Sequence, residues 1–358
     1  MRIAVIGLGL IGGSIALAAR ERMGAQTAGW DIDPSTVATA AARGAIEIQS
    51  RSIAQAVDQA DVAFVAAPVG VLAELVAETL RHAPDRCVVT DVGSTKRVVV
   101  ASQADQRFVG GHPLAGAETS GIEHARADLF DGATWYLTPT ATTSGILYER
   151  LHRLLTSLGA RPAAIDAGDH DEILALVSHL PHVLANVLVD QASTVLGAGA
   201  DGPRLPATGP SFRDATRVAG ANTSIWTDIY LSNRDALSAA IDATIERLAQ
   251  VRVALSAGDQ AAIASWNDAA ASTRRRLAAA ELAAGEVHEL RITVPNRPGV
   301  VAQIALELGR AGVNIADLAL HPAPDMSEGV VALWLAAAEE AARAELIIGA
   351  LGFQVFRP

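Results

Sequence analysis

Residues Gly7-Leu8-Gly9-Leu10-Ile11-Gly12-Gly13-Ser14 follow the short apolar run Arg2-Ile3-Ala4-Val5-Ile6 and lead into Ile15-Ala16-Leu17-Ala18-Ala19-Arg20. The order is strand, G-x-G-x-x-G, helix. The first glycine makes a tight turn, the second admits a pyrophosphate to the backbone, and the third lets helix and strand pack closely. The free amides at the helix start then face the phosphates, which assigns Gly7, Gly9, Leu10, Ile11 and Gly12 to cofactor binding. Thr27-Ala28-Gly29-Trp30-Asp31 reads as a second strand that ends in an acid 19 residues after Gly12. A carboxylate there accepts hydrogen bonds from ribose hydroxyls and repels a 2′-phosphate, and no arginine follows it in Ile32-Asp33-Pro34. The cofactor expected is NAD rather than NADP.

Strand and helix signals keep alternating beyond this unit. Residues 61–68 form a buried-strand run stopped by Pro68, and 71–82 read as a helix. Residues 87–92 read as a strand that leads into Gly93-Ser94-Thr95-Lys96. Residues 107–111 read as a further short strand that runs into a loop, Gly111-His112-Pro113-Leu114-Ala115-Gly116. A strand at 134–139 and a helix at 145–158 follow. This alternation predicts an α/β Rossmann-type doubly wound sheet, in which ligands bind beyond the carboxyl ends of the strands. Gly7, Asp31, Pro68, Ser94 and His112 would each lie just past a strand end and line one crevice. Glycine and proline around His112 would hold an imidazole in place, and imidazole is the side chain suited to moving a proton near neutral pH.

Composition narrows the function classes. Of the 358 residues, half are hydrophobic and 19% are charged, a globular composition that can bury large cores. The net charge of −11 argues against nucleic acid or an anionic membrane as partner. Cys87 is the sole cysteine and rules out a disulfide within the chain. That fits a reducing compartment, and a cytoplasmic location is expected. The apolar start is taken as the first strand and helix rather than a signal peptide. No apolar stretch is expected to span a membrane.

After about residue 168 the pattern turns helical. Residues 169–194 contain Ser178-His179-Leu180-Pro181-His182, with His179 and His182 sharing a helical face and Pro181 expected to kink the helix between them. The pair reads as metal ligands, as a hydrogen-bonded structural pair or as a substrate contact; no carboxylate or cysteine completes a metal set. In Phe212-Arg213-Asp214-Ala215-Thr216-Arg217, Arg213 and Arg217 fall one helical turn apart and could clamp a carboxylate. Long helices at 228–257 and 259–284 carry apolar residues at helix-packing spacing, within the chain or between subunits. From Glu286 onward, strand, helix, strand, strand, helix, strand follow in about 70 residues, a complete small α+β domain of βαββαβ, ferredoxin-like order. Three domains are thus expected: a dinucleotide-binding domain at 1–165, a helical domain at 166–284, and a small α+β domain at 285–358.

Together the glycine turn, Asp91-Val92-Gly93-Ser94-Thr95-Lys96, the His112 segment, the 178–182 segment, the 212–217 segment and Trp226-Thr227-Asp228-Ile229 resemble the prephenate/arogenate dehydrogenase family of tyrosine biosynthesis, with a C-terminal ACT domain. The resemblance implies NAD-dependent oxidative decarboxylation of prephenate to 4-hydroxyphenylpyruvate, or of arogenate to tyrosine, with no metal. It implies that His112 is the catalytic base and that Ser94 hydrogen-bonds near the substrate hydroxyl and the nicotinamide, helping to hold His112 in its tautomer. It also implies that Arg217 binds a substrate carboxylate, that His182 and His179 face the substrate side chain, and that Glu118 lies at the pocket mouth. The resemblance makes 166–284 the substrate and dimerisation domain of a homodimer or higher homo-oligomer, and it makes 285–358 an ACT regulatory domain that binds an amino-acid effector, tyrosine, near Asn296, Gly299, Asn314 and Ile315. The β-hydroxyacid dehydrogenases are the nearest rival class. They need a lysine in the helical part, and this chain has none after Lys96. A non-catalytic NAD and amino-acid sensor is the remaining rival.

Overall fold

The computed structural model describes all residues except 117–118, 197, 200–201, 204–208, 281–287, 324–326 and 358. The first strand, β1 (Arg2–Ile6), is buried over its last four residues and enters α1 (Leu10–Met23) through the glycine turn. Gly7 has φ +93°, a conformation that glycine adopts without strain, and a Cβ there would strike the Ala66 carbonyl. Then come β2 (Gln26–Trp30), α2 (Pro34–Ala42), β3 (Ile48–Gln49), α3 (Ile53–Val57), β4 (Val62–Val65) and α4 (Val69–His82). Next are β5 (Val88–Asp91), α5 (Arg97–Ala101), β6 (Phe108–Pro113), β7 (Thr134–Thr138), α6 (Gly145–Ser157) and β8 (Arg161–Ala164).

These strands form one eight-stranded sheet in the order β3-β2-β1-β4-β5-β6-β7-β8. Its first six strands are parallel in Rossmann order, so the chain reverses direction across the sheet between β1 and β4. The expected doubly wound sheet is present, with one antiparallel pair, β6–β7. That pair corrects the expectation of a loop at His112. The residue lies inside β6, opposite Tyr136 of β7, so ladder hydrogen bonds hold its backbone. Strand β8 carries Pro162 and sits at the sheet edge, where a missing amide is tolerated.

The chain divides into two compact units, Met1–Asp171 with Glu286–Pro358, and Glu172–Gly285. In the first unit, the C-terminal segment contributes β11 (His288–Pro295), α13 (Val300–Arg310), β12 (Ile315–Pro322), β13 (Glu328–Leu335), α14 (Ala338–Ala350) and β14 (Gln354–Phe356), numbered after the helical elements given below. Its strands pair antiparallel in the order β12-β13-β11-β14. Leu290, Ile292 and Val294 alternate into its core, as the period-two pattern predicts. This small sheet does not stand apart from the larger one. Helix α13 approaches β8 so closely that a Cβ at Gly309 would strike the Ala164 carbonyl, and buried residues of both sheets share one hydrophobic cluster.

The helix α7 (Ala167–Leu174) carries the chain out of the first unit. The second unit contains a π turn (Ala175–His179), α8 (Leu180–Leu196), the short pair β9 (Ala198–Gly199) and β10 (Gly202–Pro203), α9 (Pro210–Thr216), α10 (Thr223–Ser232), α11 (Arg234–Ala257) and α12 (Gln260–Ala280). The π turn corrects the expected kink between His179 and His182. Pro181 has no amide to donate and would clash with the carbonyl four residues earlier, and the irregularity falls on the turn before it. The run Ala167–Thr194 also corrects the expectation about membrane spans. By length and composition it is apolar enough to cross a bilayer. This is weak evidence for a span, because its His170, Asp171, His179 and His182 side chains all make hydrogen bonds within the protein.

Candidate active site

The carboxyl edge of the parallel strands collects the expected cofactor residues. Helix α1 starts at Gly9 with no capping side chain and no acid in its first turn, so its free amides face outward. A Cβ at Gly12 would strike the Gly7 carbonyl, whereas one at Gly9 would meet nothing within 4 Å. Leu10 and Ile11 are half-buried at this start. Asp31 follows β2, and its carboxylate accepts the Leu8 amide at 2.7 Å and the Asp33 amide at 3.0 Å. These two bonds tie the acid to the glycine turn and leave lone pairs for further donors. Pro68 starts α4 beyond β4, and Ser94 lies beyond β5. An uncapped helix start, an open face at Gly9 and a fixed acid beside them form a donor set that fits a dinucleotide.

His112 Nδ1 lies 2.9 Å from His170 Nε2, and His170 Nδ1 lies 2.8 Å from Asp171 Oδ1. His170 and Asp171 begin the helical half of the sequence, on α7. Asp171 also accepts the amides of Lys96, at 2.7 Å, and Arg97, at 2.9 Å. The Lys96 ammonium pairs with the Asp91 carboxylate, and neither side chain has any solvent exposure. Asp91 in turn accepts the Gly111 amide at 3.1 Å, next to His112. The bonds close a ring through Asp171, Lys96, Asp91, Gly111-His112 and His170. Tyr136 stands edge-on to the His170 ring at 5.6 Å.

Burial is the largest influence on these groups. It raises the Asp171 carboxyl, but the bonds from His170 and the Arg97 and Lys96 amides outweigh it and hold the acid below its ordinary range. It lowers His170 below the usual histidine value, against the opposing bond to Asp171. It also lowers Lys96, against Asp91. The side chain that meets His112 Nδ1 belongs to His170, which sequence reasoning missed because Asp169-His170-Asp171 looks like an ordinary charged helix start.

In the helical unit, His182 stacks face to face on Trp226, with centroids 3.6 Å apart and an interplanar angle of 2°. Its Nδ1 contacts the Tyr230 hydroxyl, with Asn186 Nδ2 3.3 Å away. Burial pulls His182 below the usual histidine value, with the Val218 backbone opposing. His179 stands edge-on to Trp226 at 6.2 Å and meets the Asn233 amide group at 3.1 Å. The two histidines thus share one aromatic cluster with Trp226 and Tyr230, which lie one turn apart on α10. Tyr230 was the member missed from sequence. Arg213 on α9 and Arg217 at its end are both exposed. Glu118 lies outside the described residues.

A cavity of about 220 Å³ opens where the β11–α13 turn meets the start of α6. Gln106, Ser144, Ile146, Asn296, Arg297 and Glu328 help line it. The Gly299 amide donates to the Thr143 carbonyl at 3.0 Å, which seats the turn on the segment between β7 and α6. Asn296 therefore lines the cavity, Gly299 anchors its wall, and Asn314 and Ile315 are not among its lining residues.

The chain is similar to known proteins in sequence and fold. The family model described as prephenate dehydrogenase, nucleotide-binding domain, matches residues 15–163, and the one described as prephenate dehydrogenase, dimerization domain, matches residues 166–267. The prephenate dehydrogenase of Bacillus subtilis (strain 168) is 31% identical over 360 residues, covering 97% of this chain and 95% of that protein. The solved structure of prephenate dehydrogenase from A. aeolicus, in complex with hydroxyphenyl propionate and NAD+, aligns with TM-score 0.72 and 28% identity, over 77% of this chain and 98% of that one. Synechocystis arogenate dehydrogenase aligns with TM-score 0.68 and 28% identity, over 77% of this chain and all of that one.

Proposed function

The chain belongs to the prephenate dehydrogenase family, and from that premise we propose that it catalyses the NAD-dependent oxidative decarboxylation of prephenate to 4-hydroxyphenylpyruvate in tyrosine biosynthesis. The observation that carries this reading is His112, fixed at the carboxyl end of β6, on the same edge of the sheet as the glycine turn and Asp31. Gly7, Gly9, Leu10, Ile11, Gly12, Asp31 and Pro68 hold the cofactor. NAD⁺, when bound, supplies the hydride acceptor.

His112 accepts the proton of the ring hydroxyl as that carbon becomes a carbonyl. A positioned base of this kind contributes about 10²–10⁴ in rate. The electron pair released with CO₂ passes to this oxygen as the ring becomes aromatic, and the oxygen takes the proton back from His112. Aromatisation supplies the driving force. Ser94 hydrogen-bonds near the hydroxyl. Arg217, aided by Arg213, holds a substrate carboxylate, and His182 with His179 faces the substrate side chain. Glu118, outside the described residues, is assigned to the pocket mouth on the family resemblance alone. Arogenate is the second reading, favoured by the likeness to the Synechocystis arogenate dehydrogenase. Incubating the purified protein with each substrate and each of NAD and NADP, and following reduced nicotinamide, tests both. Prephenate with NAD gives the highest kcat/KM under this reading; failure of both substrates contradicts it.

Residues 1–165 act as the dinucleotide-binding domain, 166–284 as the helical substrate and dimerisation domain, and 285–358 as an ACT regulatory domain. The βαββαβ order supports the last assignment, and the cavity beside Asn296 supports an amino-acid effector, tyrosine. The exposed apolar residues Leu184, Val187, Leu188, Leu231, Ile245 and Leu248 of the helical unit support a homodimer, working in the cytoplasm.

A further inference from the structure

Counting donors and acceptors assigns the protons around His112. Ionised Asp171 is an acceptor only, and it already receives two backbone amides. The 2.8 Å contact with His170 Nδ1 therefore requires a proton on that nitrogen. Burial disfavours a second proton on this ring, so His170 is neutral and its Nε2 carries a lone pair. That lone pair faces His112 Nδ1 at 2.9 Å, and two lone pairs cannot make such a contact. His112 Nδ1 must carry the proton, and the lone pair of the neutral ring sits on Nε2.

We infer that His170 and Asp171 are positioning residues that fix His112 as its Nδ1–H tautomer, so that Nε2 is the nitrogen that takes the substrate proton. The inference rests on His112 being the base in the proposed reaction. Neither residue touches the reacting atoms; they act through His112. The same bonds constrain the chain around the base. Asp171 fastens the amides just after Ser94, and Asp91, held by Lys96, fastens the amide just before His112. One carboxylate thus sets the ring's protonation and the other helps fix its backbone. Sequence alone hides the arrangement, because 58 residues separate His112 from His170.

Asp171→Asn tests the assignment. The carboxamide keeps one acceptor oxygen but sets an N–H against a site whose neighbours, the Lys96 and Arg97 amides and His170 Nδ1, are all donors, which loosens the hold on the His170 tautomer and then on that of His112. We expect kcat to fall at least about 100-fold, with KM for prephenate within about threefold of wild type. His170→Phe keeps a ring of similar size without its nitrogens and is expected to give the same split. Nitrogen NMR of histidine-labelled wild-type protein, assigned with His112→Asn, reads the tautomer directly and needs neither variant to fold. A proton on His112 Nδ1 is expected. A proton on Nε2 at neutral pH, or wild-type kcat in folded Asp171→Asn, would overturn the inference. Wild-type protein that produces no NADH from either substrate would instead defeat the proposed function, while the spectrum still decides the tautomer.

Discussion

The Lys96 ammonium and the Asp91 carboxylate form an ion pair that solvent does not reach from either side. Lys96 is also the sole lysine of the chain. Removing one member of a buried pair strands the other, at a cost of about 3–5 kcal/mol. Lys96→Met should therefore lower unfolding stability by that amount in denaturant titrations. Native protein should also show acylation by an amine-directed reagent at the N-terminus alone, with a second adduct appearing on unfolding. Two adducts on native protein would contradict the burial.

His152 makes stability depend on acidity. It lies on α6, buried at 1% exposure, and neither ring nitrogen makes a hydrogen bond of good geometry. Burial pushes it down from 6.5 to about 4, with Asp317 and the Ile315 backbone opposing weakly. The unfolded chain binds this proton more readily than the folded one. Stability is therefore whole above pH 6.5 and is lost progressively as pH falls toward 4, by about 3 kcal/mol in full. His152→Leu should flatten the stability curve across that window. An unchanged slope would assign the acid sensitivity to other groups.

Asp31 is expected to select the cofactor. Its carboxylate is held by two amides beside the open face of Gly9. Hydrogen bonds to a charged group contribute about 1.5–3 kcal/mol, so Asp31→Ala should raise KM for NAD roughly 10–100-fold and narrow the preference over NADP. Steady-state kinetics with both cofactors checks this; an unaltered ratio would remove Asp31 from the ribose site.

Arg217→Lys should be nearly as damaging as Arg217→Ala, because a point charge does not reproduce a bidentate carboxylate clamp. A rise of about tenfold or more in KM for prephenate is expected, and near-wild-type kinetics would shift the clamp to Arg213.

Tyrosine titrations of activity test the regulatory assignment. Deleting residues 286–358 would strip α13 from β8, where Gly309 packs on Ala164, and so confounds regulation with stability. Point changes at the cavity, Asn296→Ala and Arg297→Ala, are cleaner. Each should raise the half-inhibitory tyrosine concentration several-fold at unchanged kcat; equal inhibition of wild type and both variants would move the effector elsewhere.

Local signals made much of this molecule legible in advance. The glycine turn, Asp31 and the strand–helix alternation are short-range patterns, and the structure carries them at the expected positions. The C-terminal βαββαβ order was equally plain, because β11 alternates and turn residues such as Pro298-Gly299 and Gly312 punctuate the elements. Long-range pairing was not legible. His112 sits in a strand only because β7, more than 20 residues later, pairs back onto it. Strand β8 was hidden by Pro162, and the π turn by the assumption that a proline bends its own turn. The partner of His112 was hidden for the same reason as β7, since burial and distant contacts decide whether a histidine in a charged stretch is a surface residue or part of a site.

The proposed chemistry depends on His112 as the base of the reaction. His112→Asn, compared with wild type for kcat and KM with prephenate at saturating NAD, tests it most directly. kcat is expected to fall about 10²–10⁴-fold while KM stays near its wild-type value. A variant that keeps its kcat and loses only KM would contradict it, and would make His112 a binding residue.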